Sequence, residues 1–279
     1  MESIVKNFLI YLQNRFKAYQ RERKSGLKRD VIDLFSNIRG KIIYLAFGFY
    51  FIISYLISHI SGGILKGNDF LNALSSKVIT YARGVDLGEV CKRMKNPPFL
   101  PDIWPGEHYK LLAGFVLALK PKLVIEIGTG TGLSALSIKK YLPNGSKLIT
   151  FDIIPWDKKR LTLNKNVFDT ILMSSDFDES IVQYIDDLSN FSTALKYKEF
   201  LKNADIIFID GPKDGVTEYK LMKNFEKMQL KSNSILIFDD IHFWNILPFW
   251  RKLAYPKLDL TPVGHWSGTG IVQWIRKDI

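Results

Sequence analysis

At 279 residues the chain is long enough for one sizeable domain and an appendage. Its single cysteine, Cys91, excludes an intrachain disulfide and a cysteine-built zinc cluster, and fits a reducing compartment. The net charge of +11 is concentrated at one end, since residues 1–41 carry ten Lys and Arg against four acids, and such an end suits an anionic surface.

In residues 1–24, Ile4, Phe8, Leu12, Phe16 and Tyr19 recur at helical spacing beside the basic residues. This predicts a basic amphipathic helical arm over residues 1–40, suited to a membrane interface. An apolar helix comes next at 41–60, where Ile42–Ile60 runs nineteen residues without Lys, Arg, Asp or Glu. That length approaches what a bilayer core requires, and the run begins too late for a cleaved signal peptide. Burial in a homodimer interface is the alternative explanation for an all-apolar helix, and membrane association is the favoured one. Residues 61–100 contain Gly62-Gly63 and Pro97-Pro98 and read as a linker. The main domain is expected over 101–279, opening with a helix at 107–119 that stops before Pro121.

Residues 123–135, LVIEIGTGTGLSA, then combine an apolar strand, a glycine turn and a helix start. Gly128, Gly130 and Gly132 lack a Cβ, so a ligand can approach the backbone, and amides at a helix start favour negative charge. A nucleotide-like ligand is expected across this turn. Dinucleotide binders favour G-x-G-x-x-G, whereas here the third glycine comes one residue early and Leu133 takes its place.

Further short apolar runs end in acids: Leu148–Asp152, Thr170–Asp176, Ala204–Asp210 and Ser234–Asp240. Strands alternating with helical segments predict a parallel sheet covered on both faces, with ligands beyond the strands' carboxyl ends. Asp152 is placed to accept ribose hydroxyls, while Ser174, Ser175 and Asp176 are expected beside the base. Asp is also a common helix N-cap after a strand, and serines are common in turns, so a single such residue carries little weight. Asp210, Asp239 and Asp240 can converge across the sheet edge, an all-oxygen set that suits magnesium. Lys213 lies three residues beyond Asp210 and is the candidate general base, with His242 as the alternative. Beyond them, Phe243, Trp244, Phe249 and Trp250 either wall an acceptor pocket or pack a helix. Residues 261–274 read as two strands around a Ser-Gly-Thr-Gly turn, with His265 structural.

Glu126-Ile-Gly-Thr-Gly-Thr-Gly-Leu-Ser134, Asp152, Ser174-Ser-Asp176, Phe208-Ile-Asp-Gly-Pro-Lys-Asp214 and Phe238-Asp-Asp240 occur in an order that resembles class I S-adenosylmethionine (SAM) methyltransferases. The resemblance is to the metal-dependent catechol-type O-methyltransferases and to macrocin-type and cephalosporin-hydroxylase-like relatives, over about residues 100–279. It implies a Rossmann-like α/β fold, a mostly parallel doubly wound sheet with an antiparallel C-terminal edge hairpin, preceded here by an N-terminal helical extension. It implies SAM contacts at Glu126, Gly128, Ser134, Asp152 and Ser175, to which the turn and base readings add Gly130 and Asp176. It also implies Mg2+ on Asp210, Asp239 and Asp240 and a hydroxylated small-molecule acceptor, with Lys213 as base. The chain departs from the pattern at Asp240, often Asn in the catechol enzymes, and at Gly211-Pro212, which replaces larger side chains.

The expected activity is methyl transfer to a hydroxyl oxygen. The alternatives are an oxidoreductase or hydroxylase-like relative on the same fold, and a non-catalytic membrane-associated protein. Nothing in the chain resembles a nucleic-acid motif, and basic residues beside an apolar run favour lipid. The positive-inside rule keeps the N-terminus cytoplasmic and exports the chain beyond residue 60, away from cytosolic SAM. A monotopic or inverted segment resolves the conflict. The expectation is therefore a catalytic part on the cytoplasmic side of a membrane through residues 1–60, or else a cytoplasmic protein.

Overall fold

The computed structural model describes residues 68–94, 107–158, 160–163, 166–264 and 267–276. These lie within one compact unit, Leu65–Ile279. The arm and apolar helix expected over residues 1–60, and His265, lie outside the described residues. Among the described residues no helix is long and apolar enough to cross a membrane.

The sheet is built from β1 (Leu123–Ile127), β2 (Lys147–Asp152), β5 (Ile181–Ile185), β6 (Ile206–Ile209), β7 (Ile235–Asp239), β8 (Lys257–Asp259) and β9 (Thr269–Gln273). The spatial order is β5-β2-β1-β6-β7-β9-β8. The first five strands run parallel, while β9 is antiparallel to both β7 and β8. A separate hairpin joins β3 (Arg160–Leu163) and β4 (Asn166–Asp169). The fold is thus the Rossmann-like α/β arrangement with an antiparallel edge. The chain leaves β1 toward β2 and β5, then returns on its other side to β6 and β7. Such a reversal opens a crevice at the strands' carboxyl ends.

Alternation along the strands sorts their side chains onto two faces. Ile125, Ile149, Phe151, Ile207, Leu236 and Phe238 pack with α5 (Phe191–Lys196), α6 (Lys198–Asn203), α7 (Val216–Met228) and α8 (Leu247–Lys252). Val124, Leu148, Ile206, Phe208, Ile235 and Ile237 pack with α1 (Asp69–Ala82), α3 (His108–Leu119) and α4 (Leu133–Tyr141). Both faces of the central strands are therefore largely apolar, which is why β6 and β7 read as apolar runs and β1 is broken only by Glu126.

Three expectations change. Within the segment read as a linker, Asp69–Ala82 is a helix capped by Asn68, which accepts from Leu71 N. It buries Leu71 and Val78 completely against α3 and the sheet face, so the compact unit begins well before residue 101. The short helix α2 (Gly88–Cys91) comes after it. The run Thr170–Asp176 is not a sheet strand. Ile171 N donates to Thr131 O at 2.9 Å, Ile171 and Leu172 pack against Leu133 and Leu136, and Ser174–Asp176 forms a 3-10 turn. The third strand on that side is Ile181–Ile185, an edge strand whose half-exposed pattern lacks a continuous apolar run. The C-terminal antiparallel pair also starts earlier than expected, at Lys257, with a 3-10 turn at Thr261–Val263 between its strands.

Leu71→Ala should lower unfolding free energy by about 2–5 kcal/mol, as for other buried leucines. Urea titration of the full chain checks this, and an unchanged midpoint would show that α1 is not part of the packed unit.

Candidate active site

At the carboxyl end of β1, Gly128, Gly130 and Gly132 all have positive φ, as the spacing predicts, but they serve different ends. A Cβ on Gly128 would lie 2.2 Å from the carbonyl oxygen of Asp210, and one on Gly132 would lie 2.2 Å from Leu172 Cγ. Those two glycines let neighbouring chain pack closely. Gly130 alone of the three faces open space, with nothing within 4 Å of an added Cβ. Thr129 ties the turn down: its hydroxyl lies 2.7 Å from that of Thr150 on β2 and accepts from Gln183 Nε2 on β5 at 2.9 Å.

Glu126 is fully buried in β1, with Ser134 Oγ on α4 donating to its Oε1 at 2.5 Å. Its other oxygen, Oε2, is buried without a hydrogen-bond partner. Burial pushes this carboxyl up to about 8, and Asp210 and Asp152 push in the same direction, against the hydrogen bonds from Ser134 and Thr150. An orphaned buried acceptor beside the one open glycine suits a ligand carrying a positive or N–H donor group. Asp152, at the end of β2, accepts from Gly130 N at 3.3 Å and from Ile154 N at 3.1 Å. Its carboxylate thereby borders the open side of the turn.

Ser175 and Asp176 sit elsewhere than a strand end. Ser175 is exposed in the 3-10 turn, and the buried Asp176 carboxylate takes Arg93 Nη1 at 2.6 Å and Met173 N at 2.8 Å. The carboxyl end of the third strand instead carries Asp186 and Asp187. Asp186 N donates to Asp152 O at 3.1 Å, and Asp186 Oδ2 accepts from Tyr197. Apolar runs do not reveal them because β5 is an edge strand. The alternating pattern of Ile181-Val-Gln-Tyr-Ile185 is the available signal.

Asp210, Asp239 and Asp240 come together, with candidate ligand oxygens all within 4.8 Å of one another. Successive residues of a strand point to opposite faces. The left-handed φ of 57° at Asp240 departs from that alternation just where β7 ends, and both neighbouring carboxylates reach the cluster. Asp is among the few residue types that tolerate this conformation. Ser267 Oγ donates to Asp240 Oδ1. Lys213 Nζ stands 2.5 Å from Asp210 Oδ1, 3.1 Å from Asp240 Oδ2 and 3.5 Å from Asp239 Oδ2. One ammonium against three carboxylates leaves a formal excess of two negative charges. Burial pushes Asp210 up to about 6, with Asp239 and Asp240 adding to the rise and Lys213 opposing it. Burial works against the charge on Lys213, but the three carboxylates outweigh it and hold the amine well above its usual range.

His242 is buried, with Nε2 2.7 Å from Asp259 Oδ2. Burial alone would raise Asp259, yet the contacts from His242 and Thr261 bring it below the usual range. Of the four aromatics after Asp240 noted in the sequence, Phe249 and Trp250 are core residues and Trp244 is 62 % exposed. Sequence reasoning also misses His108 and Tyr109, at the start of α3. Tyr109 is held well above its usual range by burial first, then by Asp210, Asp239 and Asp240.

Glu126 carries a pH dependence whose sign is fixed. Its folded value near 8 exceeds its ordinary 4.5, so its stabilising contribution is complete below about 4.5 and is lost as pH rises through 8. Glu126→Gln should therefore flatten the fall in stability between about pH 6.5 and 8.5, above the range where Asp210 contributes. Urea unfolding of the ligand-free protein across that range is the check, and an identical slope in both proteins would refute the assignment.

Residues 125–241 match the family model described as a methyltransferase domain. No curated protein matches the chain in sequence. Among solved structures, the chain is similar to the SAH-bound methyltransferase PaMTH1 of Podospora anserina, at 16% identity over 74% of this chain and 88% of that one, TM-score 0.42. A Geobacter sulfurreducens methyltransferase is 15% identical over 80% and 96% of the two chains, TM-score 0.41. The O-methyltransferase TomG of Streptomyces achromogenes, solved with SAM, is 15% identical over 77% and 93%, TM-score 0.39. Over residues 125–241 the chain is thus similar to a methyltransferase domain, carried on a mostly parallel sheet with an antiparallel edge.

Proposed function

We propose that the protein transfers a methyl group from SAM to a hydroxyl oxygen of a small molecule, with a divalent cation assisting. The observation that carries this reading is the Asp210–Asp239–Asp240 cluster and its two-charge excess, beside a glycine turn that opens at Gly130. The donor set is all oxygen, which suits magnesium. A cation held there would lend Lewis acidity to the acceptor hydroxyl. SAM supplies the methyl group.

The chain's own residues account for the rest. The orphaned Glu126 Oε2 is the acceptor for a donor group of the cofactor, Gly130 gives the close backbone approach, and Asp152 takes the ribose. Gly128 and Ser134 hold the turn and Glu126 in place. With a cation on the carboxylates, Lys213 would lose the charges that hold it protonated, so that the side chain could first release its own proton to solvent and then, as the free amine, take the acceptor's proton. His242 is less suited because Asp259 already engages its Nε2. Trp244, four residues beyond Asp240, is the exposed aromatic side chain left to serve as an apolar wall for the acceptor. The basic, apolar residues 1–60 support a location on the cytoplasmic face of a membrane, where SAM is available.

Calorimetry with SAM and with NADH, in magnesium and in EDTA, tests the donor assignment. SAM binding alone is expected, and NADH binding without SAM would overturn it. Gly130→Ala should weaken SAM binding while costing roughly 1 kcal/mol for its left-handed backbone. Gly128→Ala should chiefly destabilise the fold, because its Cβ meets the Asp210 carbonyl. Lys213→Met should lower turnover on a hydroxylated acceptor about 10²–10⁴-fold, the usual worth of a general base. S-adenosylhomocysteine release across an acceptor panel measures this, and unchanged turnover removes Lys213 from the mechanism.

A further inference from the structure

His108 opens α3 and is 2 % exposed, a buried imidazole to which the proposed methyl transfer gives no role. Its Nδ1 lies 3.2 Å from Thr269 Oγ1 and 4.0 Å from Asp239 Oδ1. Thr269 on β9 is the register partner of Asp239 on β7. Asp239 lies beyond Ile235 and Ile237 on the sheet face that α3 covers, as strand alternation requires. The ring is held from two further sides, by Tyr109 edge-on at 5.0 Å and by Phe208 of β6 at 5.7 Å. One oxygen of Asp239 thus faces His108 while the other faces Lys213 at 3.5 Å.

We propose that His108 is a positioning residue for the carboxylate cluster: its imidazole, clamped between Thr269 and two aromatic rings, fixes the direction in which Asp239 faces Asp210 and Asp240. The inference rests on the proposed cation site. A distance of 4.0 Å is longer than a hydrogen bond, so the effect is that of an oriented polar ring beside a carboxylate in a desolvated setting, where such interactions are strong. Groups that orient metal-binding side chains without touching the metal commonly govern affinity by about 10–100-fold. His108 also links the helix before β1 to the β7–β9 pair, so α3 helps to set the geometry of a cluster to which it contributes no carboxylate.

The test uses the full chain, Mn2+ as the probe cation and calorimetry for both Mn2+ and SAM. His108→Leu should raise the Mn2+ Kd roughly 10–100-fold and leave SAM affinity within about twofold. His108→Asn, which restores a polar atom near the Nδ1 position, should return Mn2+ affinity to within about threefold of the parent protein. If the Leu variant does not fold, Thr269→Val carries the test by removing the hydroxyl partner of the ring, with a several-fold loss of Mn2+ affinity expected. Unchanged Mn2+ affinity in these variants overturns the positioning role alone. Parallel loss of Mn2+ and SAM affinity, or equal loss in the Leu and Asn variants, shows a packing role and overturns it too. A parent protein that binds SAM but no Mn2+ ends both the cation reading and this inference.

Discussion

The close approach of the β1 turn to the end of β6 is the constraint on which the site depends. The α-carbon of Gly128 is pressed so near the Asp210 carbonyl that no side chain fits between them. Asp210 N in turn donates to Ile127 O at 2.8 Å, which completes the contact. The glycine turn and the carboxylate cluster are therefore parts of one rigid junction between adjacent parallel strands. A methyl donor lying on one side of that junction and a hydroxyl held on the other would meet at a distance set by backbone packing. Fixed alignment of two reactants is the largest service that a displacement of this kind asks of a protein.

Electrostatics gives the junction its character. Gathering three carboxylates, two of them buried and Asp210 half-buried, beside a single lysine is costly, because each added charge loses hydration and repels its neighbours. Here the cost appears in Asp210, raised to about 6, and in Lys213, whose charge the acids hold in place. Glu126 adds a further buried acid in β1, below the glycine turn, with one oxygen satisfied by Ser134 and the other left over. A site so short of positive charge and donors is prepared for ligands that bring both.

Much of this is legible in the sequence because the central strands are buried on both faces. Near-continuous apolar runs mark β1, β2, β6 and β7, and the acids that follow β6 and end β7 fall where parallel topology brings them together. The third strand is not legible by the same rule. Ile181–Ile185 lies at the sheet edge and buries only part of its side chains, while the apolar Thr170–Leu172 segment packs under the glycine turn and makes no ladder. For that reason the apolar pattern puts Ser175 and Asp176 at the end of a strand that the sheet does not contain. Local pattern also does not place α1, whose Leu71, Leu74 and Val78 find their partners across a long sequence gap. His108 escapes notice because nothing near it in sequence hints at Asp239, which lies far along the chain.

The left-handed turn at Asp240 has a consequence for the variation this position can accept. Its residue must tolerate φ near 57° and must also present an oxygen to its neighbours. Glycine meets the first demand and fails the second; glutamate does the reverse. Asp and Asn satisfy both, and they differ by one atom and one unit of charge. The position therefore works as a two-letter alphabet through which the cluster's charge changes by one step while its backbone stays the same.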